Sequence, residues 1–388
     1  MKNSTKSLPV FLAFICMGFG DAIGPFVGLA KDEFQLTDFV AGFVTFAGFI
    51  MFGILSVPMG IYQDKKSKKH VLMLGLIVAL IGLILPIFGR LNTFGLFLIT
   101  VILLGAGAAI LQVAGNPLMR DVSSEGKYSR NLSFAQFVKA IGSLSGTIIP
   151  PLAVAYLGMD WKILFPIYSS VILITIIILL FTRVNESAKT NDRSASFKSC
   201  MKLLLESRMV GLMVLGIFLY VGAEVAVSQG VPLYLKEQFN VNIQEKGLLG
   251  TGVFFTALLI GRFFGGLLLN WLKPRLFLIL TTVLASIGII GIFVGIQSVS
   301  IISFFIIGLG FANIFPLLFS ISIDAMPERS NELSGLMVTA IAGGAFIPII
   351  MNLISKIAGS TVIGFIVPLV CVIYILMLSF VKPAVQKI

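Results

Sequence analysis

The feature that most constrains this chain is a series of twelve apolar segments, each long enough to cross a bilayer at roughly 20 residues per helix, interrupted once by a long polar stretch. The segments are 8–30, 39–63, 71–89, 93–118, 132–156 and 163–182, then 209–235, 247–270, 276–296, 300–324, 333–355 and 362–381. Between the two sets lies RVNESAKTNDRSASFKSCMKLLLESR, Arg183 to Arg208. Hydrocarbon offers no water to backbone N–H and C=O groups, so a spanning chain must be helical or a closed barrel. Continuous apolar runs without period-two alternation select helices. Composition agrees, with 57% of residues hydrophobic and 12% charged, against roughly 25% charged in ordinary soluble domains. The expected fold is all-α and membrane-embedded: twelve transmembrane helices in two six-helix bundles, 1–182 and 209–388, joined by a linker over 183–208.

The 28 lysines and arginines outnumber 17 acidic residues, for a net charge of +11, and their placement points to a membrane rather than to nucleic acid. With the N-terminus in the cytoplasm, the outer segments hold only Lys31, Arg90, Lys162, Lys236, Lys246 and Lys356. Lys139 and Arg262 lie within spans, and the rest fall on inner segments. That asymmetry puts both termini and the linker in the cytoplasm. The basic clusters sit on short loops without the aromatic platform of a nucleic-acid surface. Cys16, Cys200 and Cys371 have neither disulfide nor metal spacing, and the lone His70 lies on a basic loop, so no metal or other cofactor is expected. A membrane-embedded enzyme would need a nucleophile with its base, or a metal cluster, within the spans, and the spans carry neither. The first apolar run follows Lys2 and Lys6 but contains Asp21 and Pro25 and has no A-x-A-like site, so it reads as a retained helix.

The halves repeat each other. NLSFAQFVKAI, Asn131 to Ile141, corresponds to NELSGLMVTAI, Asn331 to Ile341, 200 residues later. Gly105 and Gly107 correspond to Gly308 and Gly310, Gly60 and Asp64 to Gly266 and Asn270, and Asp21 to Glu224. Four matches in consistent order describe two six-helix halves related by an axis along the membrane normal. This arrangement resembles the major facilitator architecture, which implies a substrate site near the midplane between the halves.

Ionisable side chains inside spans are few, and each is informative. Asp21 lies mid-span, and Pro25 frees its carbonyl from the helical bond, an arrangement suited to proton exchange or to a sugar hydroxyl; the alternative is a structural carboxylate paired with a basic residue. Glu224 shares a helical stripe with Tyr220 and Ser228, and Pro232 frees the Ser228 carbonyl. Gln136 and Lys139 share a face of the fifth helix, as Gln112 and Asn116 do on the fourth, where Pro117 follows. Long amides supply the donors and acceptors that sugar hydroxyls require, although such stripes also serve as interhelical glue. Arg262 and Asp324 lie nearer the cytoplasmic ends and read as structurally paired.

The most specific local motif is GIYQDKKSKK, Gly60 to Lys69. It resembles the loop between the second and third helices of major facilitator transporters, with Ser67 in place of the second glycine. The resemblance makes Gly60, Asp64, Lys65, Lys68 and Lys69 gating elements: Gly60 for close helix approach, Asp64 as acceptor at a helix N-terminus, and the lysines at the anionic inner leaflet. Within that superfamily the chain resembles the fucose/glucose/galactose proton symporters, through GAGAAILQVAGNPL (105–118), NLSFAQFVKAIGSLSG (131–146), FLYVGAEVAVSQGVPLYL (218–235) and GLGFANIFPLLFSISI (308–323). By that resemblance Asp21 is the first-helix carboxylate and Gln136 the fifth-helix glutamine of the family. Two positions depart: Gln112 stands where fucose symporters have a glutamate, and Lys139 where they have an asparagine.

These observations lead to an expected secondary transporter that imports a hexose, 6-deoxyhexose or N-acetyl sugar with protons by alternating access, as a monomer in a bacterial-type inner membrane. Asp21 and Glu224 are the expected proton-coupling groups, and Gln112, Asn116, Gln136, Lys139, Tyr220, Glu224 and Asn313 the substrate contacts. One rival is a carrier of acidic sugars with Lys139 as anion ligand. Another is a multidrug exporter, which the amide-rich stripes argue against.

Overall fold

A computed structural model describes residues 4–21, 30, 33–89, 93–184, 186, 195–241 and 251–381. Pro25, Lys31, both chain ends and the linker positions 185 and 187–194 lie outside the described residues. The first half comprises α1 (Ser4–Asp21), α2 (Asp38–Lys65), α3 (Lys68–Phe88), α4 (Phe94–Asp121), α5 (Tyr128–Leu152), which runs on into a π-turn at Ala153–Leu157, and α6 (Leu164–Phe181). A short amphipathic helix, α7 (Phe197–Glu206), occupies the linker. The second half comprises α8 (Arg208–Phe239), α9 (Thr251–Leu268), α10 (Pro274–Ile292), α11 (Gln297–Phe311), α12 (Ile314–Ala325), α13 (Ser330–Thr339), α14 (Gly343–Ala358) and α15 (Ile366–Phe380).

Four of these helices start where a hydroxyl caps the first turn: Thr37 accepts from the Val40 N–H, Ser67 from His70, Thr93 from Leu96 and Ser207 from Val210. Among the described residues, nine helical stretches are long and apolar enough to cross a membrane, and the bent pair Tyr128–Gly146 and Ile148–Leu157 makes a tenth. Shorter apolar helices, Leu8–Asp21 and Gly252–Leu268, stand at the first and eighth expected positions, so all twelve are occupied. Large apolar side chains such as Ile54, Ile81, Leu180, Ile287 and Leu353 point outward. In water such a surface would drive aggregation, whereas against acyl chains it is the ordinary exterior of a membrane bundle.

The chain forms two compact units. One contains Met1–Glu125, Ala135–Met201 and Glu328–Thr339; the other contains Gly126–Phe134, Lys202–Pro327 and Ala340–Ile388. The two short segments that group with the opposite half are the repeat-related starts of the fifth and eleventh spans. Inside each unit the internal repeat is realised as packing. In the first, Gly105 leaves no room for a Cβ against the Gly48 carbonyl, and a Cβ on Gly107 would stand 2.9 Å from the Ala79 nitrogen, so α4 lies directly on α2 and α3. In the second, Gly308 abuts the Phe254 carbonyl in the same way, and a Cβ on Gly310 would stand 2.6 Å from the Ala285 nitrogen, so α11 lies on α9 and α10.

Candidate functional site

In the first unit, α1 and α5 touch backbone to backbone, because a Cβ on either Gly18 or Gly142 would overlap the facing helix. That contact fixes the surroundings of Asp21. Lys139 Nζ lies 2.9 Å from Asp21 Oδ2, and Ser143, one turn on, donates its hydroxyl to the same oxygen at 3.0 Å. The side chain of Asp21 keeps 34% of its surface exposed, against 11% for Lys139. A fully sequestered ammonium would be costly, and the carboxylate offsets that cost. Of the two partners that charge balance would allow Lys139, namely Asp21 and Glu224, the structure supplies Asp21. Gln136, one turn before Lys139, is buried, as are Gln112 and Asn116 on α4.

Further along α4, Pro117 has no N–H, so the Val113 carbonyl lacks its helical donor. Ser334 on α13 fills that position, donating its hydroxyl to Val113 O at 2.6 Å. Irregular backbone at membrane depth is tolerated where protein groups satisfy it, which is why α4 passes Pro117 and runs on to Asp121 instead of ending at 118.

The second unit uses the same device with different chemistry. The tenth span breaks between α11 and α12, and Pro316 leaves the Ala312 carbonyl without a helical donor. Arg262 of α9 donates Nε to Ala312 O at 3.4 Å, while its Nη2 lies 3.4 Å from Glu224 Oε1. Tyr220, one turn before Glu224, is fully buried and donates its hydroxyl to Phe311 O at 2.9 Å. Asn313 donates its amide to Gly261 O at 2.7 Å and fills the space left by Gly265. Glu224 is therefore compensated, with 19% of its side chain exposed. Arg262 is not assigned to Glu224 by sequence reasoning. The available signal is FANIFP, in which the proline marks an open carbonyl that a long cationic donor one helix away can reach.

The expected gating motif divides. A Cβ on Gly60 would stand 2.8 Å from the Asn331 carbonyl oxygen and 3.0 Å from the Gly335 Cα, so α2 and α13 meet without intervening side chains. Asp64 accepts from the Ala195 N–H at 2.8 Å and from Asn331 Nδ2 at 3.0 Å. Ser67, the residue that departs from the superfamily pattern, caps α3. For two of the lysines the inner-leaflet role is corrected. Lys68 turns inward to Asp121 at 2.7 Å, and Lys69 donates to the Thr182 carbonyl at 2.8 Å. Both backbone N–H groups are held by Glu186, whose carboxylate sits on the N-terminus of α3, where the helix dipole favours negative charge. Lys65 remains exposed.

Below this motif, Ser199 of α7 hydrogen-bonds Glu332, which also pairs with Arg329 at 2.5 Å. Burial pushes the neighbouring Cys200 thiol up to about 11, with the Glu332 carboxylate adding to the effect.

The model of the Major Facilitator Superfamily matches residues 10–348. The chain is 25% identical over 357 residues to a glucose/galactose transporter of Brucella abortus biovar 1 (strain 9-941), covering 89% of this chain and 86% of the relative. It is 24% identical over 374 residues to the L-fucose-proton symporter of Escherichia coli (strain K12), covering 88% and 84%. A crystal structure of the E. coli fucose:proton symporter, FucP, superposes with a TM-score of 0.83 at 22% identity, over 97% of this chain and 98% of that one; at this identity the likeness speaks for the fold alone. Twelve occupied span positions, an internal repeat realised as matching helix contacts, and a family match over most of the chain lead to one conclusion: the protein belongs to the major facilitator superfamily.

Proposed function

We propose that this chain is a sugar–proton symporter that imports a neutral or N-acetylated sugar by alternating access. The functions for which its relatives are named, glucose/galactose transport and L-fucose–proton symport, support the class of substrate and the coupling ion. The observation that carries the reading is the 2.9 Å pair between Lys139 and Asp21. An ammonium already compensated by a carboxylate does not need an anionic substrate, so a neutral sugar fits without further charge. Asp21, the more open of the two compensated carboxylates, is the proton carrier, and Glu224 is held by Arg262. Gln112, Asn116, Gln136, Lys139 and Asn313 offer hydrogen bonds to hydroxyl or acetamido groups, while Tyr220 supports the helix that carries Glu224. The reading includes a monomer in an inner membrane, with both termini cytoplasmic.

The test is uptake into proteoliposomes under an inward proton gradient, for neutral, N-acetylated and acidic sugars, with wild type and Lys139→Asn. The expected result is protonophore-sensitive uptake of a neutral or N-acetylated sugar. The variant should keep that uptake with modestly lower affinity, since the Lys139 ammonium no longer donates to the sugar. If only an acidic sugar is transported, and the variant loses it, then Lys139 is an anion ligand and the neutral-sugar reading fails. Outward movement of hydrophobic cations with no sugar flux would instead indicate an exporter.

A further inference from the structure

Helix α7 has two unlike sides. Cys200 and Leu203 are buried, the preceding Ala195 donates its N–H to Asp64, and Ser199 bonds Glu332, so one side is fastened to the protein. On the other side Phe197 is 64% exposed and Leu205 77% exposed. They lie two helical turns apart, with Met201 between them on the same ridge. One residue along, Lys198 and Lys202 form a parallel exposed ridge. Lys202 Nζ lies a long 3.8 Å from Glu206 Oε2. A single residue, Ser207, separates α7 from the membrane-spanning α8, which begins at Arg208. With so short a tether, α7 stays at the level of the lipid headgroups.

We propose that α7, the helix of the linker, docks on the bilayer surface, with Phe197 and Leu205 seated at the headgroup–acyl boundary and Lys198 and Lys202 on the phosphates of anionic lipids. An apolar ridge flanked by lysines is the pattern of a helix lying in the interface plane, and each lysine near an anionic surface adds attraction. The occupant is set by position: the ridge is joined directly to a span, and the charge on its flank is the sign that complements anionic headgroups. Docking would also hold Ala195 against Asp64 and Ser199 against Glu332, linking lipid composition to the gating motif. The proposal is independent of the transported substrate.

The test uses the full chain with Cys16, Cys200 and Cys371 replaced by alanine and a nitroxide at Leu205→Cys, in vesicles of phosphatidylcholine with or without phosphatidylglycerol. With phosphatidylglycerol, the label should be open to oxygen and screened from a water-soluble nickel complex. Lys198→Glu with Lys202→Glu should release it to water. Both lysines are exposed, so the double variant leaves the packed side untouched. The two lysines together are worth roughly thirty-fold in the membrane-seated population at low salt, and added salt should erode that preference. A label open to the nickel complex in every vesicle would overturn the proposal. So would a label equally buried without phosphatidylglycerol or after charge reversal, and so would one screened from both reagents, which would mean that protein, including a second copy of this chain, covers the ridge.

Discussion

The two units hold a repeat-related carboxylate each, and they compensate it differently. Asp21 is met by a lysine from α5 at 2.9 Å and by a serine hydroxyl, and a third of its side chain remains open. Glu224 is met by an arginine from α9 at 3.4 Å, and that arginine also closes a broken helix through the Ala312 carbonyl. A lysine is a compact charge on a flexible stem that can let go of one partner, whereas an arginine bridging two acceptors is fixed by both. The difference is one of partners: a lysine and a hydroxyl leave a third of the Asp21 side chain exposed in one unit, while an arginine shared with a backbone carbonyl holds Glu224 in the other.

The largest effect expected from breaking this contrast is that of Asp21→Asn. Uphill sugar accumulation should disappear, while counterflow exchange, which needs no net proton movement, persists. A variant that still concentrates substrate would transfer the proton role to Glu224 and reverse the comparison. Next in size is Arg262→Gln, which strands Glu224 and opens the Ala312 carbonyl. Leaving half of a sequestered ion pair costs about 3–5 kcal/mol, and the partial exposure of Glu224 puts the expectation near about 3. Thermal unfolding should fall accordingly, and pairing the change with Glu224→Gln should recover most of the loss. Failure of the double variant to recover would mean that the arginine matters for Ala312 and not for Glu224. Smallest is Ser334→Ala, which removes the donor to the Val113 carbonyl in the first unit. An unsatisfied buried carbonyl costs about 1–3 kcal/mol, so a modest drop in melting temperature with intact transport is expected; no drop would indicate that Val113 finds another donor.

The positions of the spans were readable from the chain because hydrocarbon imposes a single length and a single secondary structure on apolar runs. The repeat was readable for a related reason. Gly105 and Gly308 are small because helices cross there, and small residues in register survive as a pattern. The lysines of the gating motif were half legible. Their charge suggested the inner leaflet, but whether Lys68 meets a phosphate or Asp121 depends on a residue 53 positions away. Ser67 looked like a lapse from the superfamily pattern and is a helix cap, since one hydroxyl can satisfy the His70 N–H that a glycine would leave to solvent.

The sequence by itself determined that this protein is a helical membrane bundle of two repeated halves, that its interior carries few ionisable groups, and that prolines 25 and 232 open carbonyls at defined places. These follow from local rules: hydropathy over a span's length, and the missing N–H of proline. Only the tertiary structure decided which charge compensates which. Lys139 could reach Asp21 or Glu224 as far as charge arithmetic goes, and the close approach of α1 and α5 at Gly18 and Gly142 selected Asp21. Arg262 looked like an end-of-helix structural residue until the broken tenth span placed an open carbonyl and Glu224 on either side of its guanidinium. Ion pairing depends on distances of a few ångströms between helices, and those distances are set by packing rather than by any one segment's composition.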